Sequence, residues 1–288
     1  MKLGKVAVFA CAAVLGLGVA GCGSDSPNGE AAPPPAGAGA DAPQVESPKL
    51  DPIAAVRESV DKTRGAGTSR LKMVVNATAG GENVDITASG AFDYRKSVGE
   101  LELTLPAGTG LDGGTIRQII TKKALYMGGI PGLPEGKWVK VSIDQLDVSG
   151  GSGLTSNDPS AVLEMVRGAS DDVTEVGEET VRGEKTTHYR GTLDIDKAVA
   201  NAPAETRDQV KQYLKQAGTR SVPFDLFVDD EGRLRKLVQQ LEFDAPGGSG
   251  TVAMDLTLEL FDYGVKVNVK EPAAADVIEA PAGSFGGG

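Results

Sequence analysis

The sequence predicts an α+β fold in which a curved antiparallel β-sheet, a half-barrel, carries a few helices over its concave face. Apolar and polar residues alternate through most of the chain between residues 69 and 261, and helix-start signals are few. Aromatic residues make up only 5% of the chain, so no set of bulky rings is on hand to fill a large core. Period-2 alternation gives each strand one apolar and one wet face, the habit of antiparallel sheets.

The N-terminus precedes this pattern. Lys2 and Lys5 lead into an apolar run from Val6 to Ala20, shorter than the ~20 residues of a membrane-spanning helix. A basic start, an apolar middle and a small-residue exit read as a secretory leader over 1–21. Val19-Ala20-Gly21-Cys22 resembles a bacterial lipobox, in which the Cys thiol takes a diacylglyceryl group before cleavage just upstream; Val19 stands where Leu is commoner. An ordinary secretion signal with an incidental Cys is the alternative. Cys11 leaves with the leader, so Cys22 is the expected mature N-terminus and sole thiol, and no intrachain disulfide can form. Residues 22–48, with "EAAPPPAGAGADAP" at their centre, are almost free of large apolar side chains and read as a disordered tether. The domain is expected over 49–280, and "APAGSFGGG" places a flexible tail at 281–288.

Three helices are expected. "DPIAAVRESVDKTRG" has Asp51 to cap it, Pro52 at its first position, Ile53, Val56 and Val60 on one face, and Gly65 as its stop. "DPSAVLEMVRG" repeats the device, with Asp158 and Pro159 before Val162, Leu163 and Val166, and Gly168 closing. "PAETRDQVKQYLKQAG" aligns Val210, Tyr213, Leu214 and Ala217. The two Asp-Pro helices, each followed by strands, hint at two similar halves.

The strands read from their apolar sets. "RLKMVVNA" gives Leu71, Met73 and Val75; "NVDITASGAFDY" gives Val84, Ile86, Ala88, Phe92 and Tyr94; "GELELTLP" gives Leu101, Leu103 and Leu105. "VPFDLFVDDEGRLRKLVQQLEF" is a hairpin with Phe224, Leu226 and Val228 inward and Asp230-Glu231-Gly232 at its turn, and "TVAMDLTLELFDY" presents Val252, Met254, Leu256, Leu258 and Leu260. Roughly ten to twelve such strands, about 4.8 Å apart, span about 50 Å, whereas three helices about 10 Å across cover about 30 Å. The sheet must curl, or keep an uncovered apolar concavity suited to a long apolar ligand. Met73, Ile86, Ala88, Leu101, Leu103, Leu105, Phe224, Leu226, Met254, Leu256 and Leu258 are the candidate lining, with plain core as the alternative for each.

Three stretches carry a family resemblance: "KKALYMGG…GKWVKV" (122–141), "VTEVGEETVRGEKTTHYRGTLDI" (173–195) and "DYGVKVNVKEPAAADV" (262–277). Together with the order lipobox, linker, helix, strands, helix, strands, they resemble the LppX/LprAFG family of actinobacterial envelope lipoproteins, similar in shape to the carrier LolA. The resemblance implies a U-shaped half-barrel enclosing a cavity for acylated lipid or lipoglycan, carried between inner membrane and outer envelope. It implies an outward-facing protein held to the cell membrane by its acyl chains, with an inner-membrane lipid exporter as a candidate partner. It brings no catalytic set, cofactor or metal. A non-enzymatic periplasmic sensor or protein-interaction module on the same half-barrel is the alternative.

The remaining residues offer little for chemistry. His188 is the only histidine, set outward by the inward set Tyr189, Gly191 and Leu193, and is expected to be solvated; it leaves a triad or a histidine metal site without members. The Gly-Ser runs at 149–153 and 247–250 lack the spacing of a nucleophile elbow. "VDDEG" lacks the closing glutamate of a calcium loop. Glu100 and Glu102 fall on a solvent face, and Trp138 is either packing or the floor of a pocket mouth. The net charge is −11, and −13 once Lys2 and Lys5 leave with the leader. That balance, without a basic stripe, argues against nucleic acid and against electrostatic docking on anionic lipid. A monomer is expected.

Overall fold

The structure is a computed structural model that describes residues 51–79, 82–106, 113–142, 159–194, 196–197, 200, 221–244 and 251–280. The leader, Cys22, the tether, Asp158, the helix expected at 203–218, both Gly-Ser runs and the tail at 281–288 lie outside the described residues.

Helix α1 spans Pro52–Gly65 with Pro52 at its first position. Two details differ from expectation. The Asp51 carboxylate makes no capping bond, although its carbonyl accepts the first helical bond from Ala55 N–H at 2.9 Å. The chain turns out of the helix at Gly67, where φ is +87°, rather than at Gly65. Glycine adopts that conformation without a Cβ clash, which makes it the natural residue after a helix end. Helix α2 spans Pro159–Met165 and tightens into a 3₁₀ turn, Val166–Gly168, that ends at the expected glycine.

Among the described residues the chain forms twelve strands: β1 Thr68–Ala79, β2 Glu82–Asp93, β3 Val98–Leu105, β4 Gly114–Ile120, β5 Ala124–Gly128, β6 Trp138–Ser142, β7 Thr174–Val181, β8 Glu184–Asp194, β9 Ser221–Asp229, β10 Leu234–Asp244, β11 Thr251–Phe261 and β12 Val277–Glu279. They form one curved, unclosed sheet in the order β12-β6-β5-β4-β3-β2-β1-β11-β10-β9-β8-β7. Two meanders, β1 to β6 and β7 to β11, join where β1 pairs with β11 in an antiparallel ladder from Arg70↔Phe261 to Ala79↔Val252. This is the half-barrel α+β architecture the sequence predicts.

One pairing breaks the antiparallel rule. β12 runs parallel to β6, with Val277 opposite Trp138 and Glu279 opposite Lys140. To reach it, the chain after β11 crosses the polar side of the sheet with Val265, Val267 and Val269 half-buried. Val269 and Val277 pack there on Ile119, Ala124, Tyr126 and Trp138. The Tyr126 hydroxyl donates to Glu271 at 3.0 Å, and Lys137 Nζ bonds Ala275 O and Asp276 at 2.8 and 3.0 Å. Burial and the neighbouring Glu271 carboxylate push the Tyr126 phenol above its ordinary value. At the other edge, β7 presents Glu175, Glu178 and Glu179 and carries a bulge between Glu175 and Gly177. Charges and bulges are the usual guards against a stray strand pairing with an open edge.

Candidate functional site

The strand registers bring the candidate lining together. Reading across the sheet from β8 to β4, Tyr189, Leu226, Leu237, Leu258, Met73, Ala88, Leu103 and Ile116 are successive partners. They form one apolar row about 34 Å long at the ordinary strand spacing. A second row runs Gly191, Phe224, Gln239, Leu256, Val75 and Ile86, and a third runs Leu260, Leu71, Gly90, Leu101, Gln118, Met127 and Val139.

Of the eleven candidates, Met73, Ala88, Leu101, Leu103, Phe224, Leu226, Met254, Leu256 and Leu258 belong to a single buried cluster. Ile86 packs on it while half-buried, and Leu105 is buried but outside it. Sequence reasoning passed over two buried amides on this face, Gln118 and Gln239. Both were visible, since each sits at an inward position of its strand's alternation, as Gln239 does between Leu237 and Leu241.

Among the described residues, α1 and α2 cover the face. Val56 and Val60 of α1, and Leu163, Met165 and Val166 of α2 and its 3₁₀ turn, join the sheet's cluster. α1 packs chiefly on β7, β9 and β10, so the helix ahead of the first meander lies over the second. Thr63 Oγ1 accepts a bond from Leu234 N–H at 2.9 Å, which fixes α1 to the start of β10.

A charged clamp ties the helices together. Glu164 is wholly buried, and its carboxylate accepts from Arg64 Nη1 and, at 2.7 Å, from Arg167 Nε. Arg167 in turn donates to Asp61 at 2.6 Å. That bond from Arg167 holds the Asp61 carboxyl below its ordinary value, against a smaller opposing effect of burial. Arg57 donates from Nη2 to Ala169 O at 2.6 Å.

His188 requires a correction. It does lie on the outward side of β8, but it is only 4% exposed rather than solvated. Its ring stacks on Phe227 with centroids 4.4 Å apart, and its nitrogens meet Glu179 at 2.9 Å and Asp225 at 2.6 Å. The bulge that shifts β7 against β8 sets His188 opposite Gly177, so no β7 side chain faces it in that pair. Trp138 is on the polar side, under Arg117 at 5.4 Å and against Gly128, which makes it packing and not the floor of a pocket in the apolar face. Glu100 pairs with Arg117 at 2.8 Å on the same polar side. Asp229 of "VDDEG" is taken up by the turn itself, accepting from Arg233 N–H at 2.8 Å and Arg235 Nε at 2.6 Å. Among the described residues no group of three or more His, Cys, Asp or Glu is placed to hold a metal ion.

No protein-family model matches the chain. An uncharacterised 31.2 kDa protein of Streptomyces griseus, encoded between rplA and rplJ, is 29% identical over 252 residues, covering 80% of each chain. A lipoprotein candidate of Streptomyces coelicolor is 27% identical over 277 residues, covering 89% of this chain and 84% of that one. Among solved structures, the Mycobacterium tuberculosis lipoprotein LppX matches 76% of this chain and 98% of its own, at 15% identity and a TM-score of 0.49. The chain's own described topology, one curved, unclosed sheet with helices α1 and α2 on its apolar face, is the α+β half-barrel.

Proposed function

We propose that the protein is a membrane-anchored envelope lipoprotein that takes the acyl chains of a lipid or glycolipid against the apolar face and carries it between envelope layers. The observation that carries this reading is the continuous apolar row across eight strands, lying under helices that pack chiefly on one half of the sheet. The row is long, unbranched and without charge, which suits a chain of methylenes. Each CH2 withdrawn from water against it contributes about 0.8 kcal/mol. The lipobox supports the anchor, and so does the Streptomyces coelicolor relative. An inner-membrane lipid exporter is the partner this reading implies.

Two measurements test it. Cys22→Ala should move the protein from the membrane to the soluble fraction with its melting temperature unchanged, since two or more acyl chains make the durable anchor. Unchanged membrane retention would remove the anchor from the account. Native mass spectrometry of the soluble Cys22→Ala protein should then find one or more copurified acylated lipids. A protein that emerges free of lipid, and takes none up from vesicles, would favour the sensor or interaction module.

A further inference from the structure

Three arginines meet between α1 and the 3₁₀ turn, and one is unlike the others. Arg64 and Arg167 both reach Glu164, and Arg167 also holds Asp61. Arg57 has no carboxylate within ion-pair distance among the described residues. Among the described residues its hydrogen bond runs from Nη2 to the Ala169 carbonyl, and its Nε–H is buried without an acceptor. It is the one buried side-chain nitrogen or oxygen in that position among the described residues.

Arg57 as a whole is half-buried, but burying its Nε–H donor without an acceptor is costly. Such a donor is open to completion from outside the chain, by an ordered water or by a ligand that displaces it. The surroundings narrow what that is. Arg57 adjoins Val56, one helical turn from Ile53 and Val60, and its carbonyl partner Ala169 belongs to the buried cluster, as Val56 and Val60 do. The guanidinium therefore sits at the border of the apolar face, held at one corner with a donor still to give. A planar guanidinium matches the oxygens of a phosphodiester better than any other side chain does.

We propose that Arg57 is the headgroup anchor of the carrier: it binds a phosphodiester oxygen of an anionic lipid whose acyl chains lie along the apolar row. The assignment rests on the lipid-carrier reading and adds to it the charge of the cargo. Free phosphate shares the recognising chemistry, so the test separates the two sources.

The full-length chain with Cys22→Ala is offered an equimolar mixture of dioleoylphosphatidylglycerol and dioleoylglycerol, and the bound lipid is measured by native mass spectrometry. The parent should favour phosphatidylglycerol about tenfold, the weight of one charge-assisted contact. Arg57→Gln should bring the ratio to within about twofold without lowering diacylglycerol binding, and Arg57→Lys should retain part of the preference. Arg57→Met should melt higher than the parent when both are free of lipid, because it removes a buried donor left without an acceptor. An undiminished preference in Arg57→Gln overturns the assignment, and a lower melting point for lipid-free Arg57→Met makes Arg57 a structural partner instead. Equal binding of both lipids by the parent leaves the carrier and removes the anchor. Binding of neither removes both. If millimolar phosphate alone raises the parent's melting temperature through Arg57, with no preference between lipids, the site belongs to free phosphate and the headgroup assignment fails.

Discussion

Glu164→Ala is expected to cost about 3 kcal/mol and to loosen α1 from α2, because the substitution removes the acceptor that two guanidiniums share. Breaking a buried ion pair from one side costs about 3–5 kcal/mol when the partner stays dry. Here Arg64 is 38% exposed along its side chain and can regain water, while Arg167 keeps Asp61, so the lower end of that range applies. Set against a total stability of about 5–15 kcal/mol, the loss is severe. Chemical denaturation should show the lowered midpoint, and dye binding should rise as Val56, Val60 and Leu163 come off the sheet. Glu164→Gln keeps one acceptor and should lose about half as much. A variant that denatures like the parent would mean that the apolar contacts alone hold the helices.

The same clamp carries a pH dependence. The Asp61 carboxyl is held below its ordinary value of 3.8 by the bond from Arg167. A carboxyl depressed in the folded state binds its proton more readily when unfolded, so its contribution is complete above that ordinary value. It is lost as the pH falls through the lower folded value. Acid loosening of the helix pair should therefore begin below about pH 4 and be weaker in Asp61→Asn, read by melting temperature against pH. Because Asp61 is 65% exposed along its side chain, solvent keeps the effect small.

What the sequence made legible was short-range. Leu101, Leu103 and Leu105 alternate with Glu100, Glu102 and Thr104 in a pattern any eight-residue window contains, and the strand obeys it. Pro52 and Pro159 mark helix starts for the same reason. The features that escaped are long-range. Glu164 looks like one polar residue between Leu163 and Met165, and its burial depends on Arg167, three positions on, and on Arg64, a hundred positions away. Alternation makes His188 a wet residue because it assumes that the outer face is open; Phe227, Glu179 and Asp225 close over it. The parallel β12 and the crossing segment before it depend on Trp138 and Tyr126, about 140 residues earlier, which no local pattern announces. Arg57 is the extreme case, since its distinction is an Nε–H without an acceptor among the described residues, and sequence shows only what is present.

Added bulk on the apolar face should separate packed core from ligand wall, and the outcome should differ between the two halves of the sheet. Leu256 is 2% exposed and lies on β11, next to β10, on which α1 packs. Leu256→Trp must push against a filled space, and overpacking of this kind costs about 1–3 kcal/mol, or about 2–12 °C for a domain of this size. Ala88 and Leu103 are cross-strand partners on β2 and β3, on the other side of β1 from the α1 contacts. Ala88 is the smallest side chain in the longest row, flanked by Met73 and Leu103. Ala88 and Leu103 are buried as well, at 4% and 8% exposure, but away from the α1 contacts. On the carrier reading a ring there takes the place of an acyl chain and leaves the helix packing alone. Ala88→Trp and Leu103→Trp should each melt within about 2 °C of the parent, less than overpacking a filled core would cost. Both should also lose most of the copurified lipid, whereas Leu256→Trp should lose stability first. If all three melt far below the parent and none loses lipid selectively, the face is core from edge to edge, and the sensor or interaction module takes the place of the carrier. If Ala88→Trp alone keeps its melting point and sheds its lipid, the acyl chain lies over β2, between Met73 and Leu103.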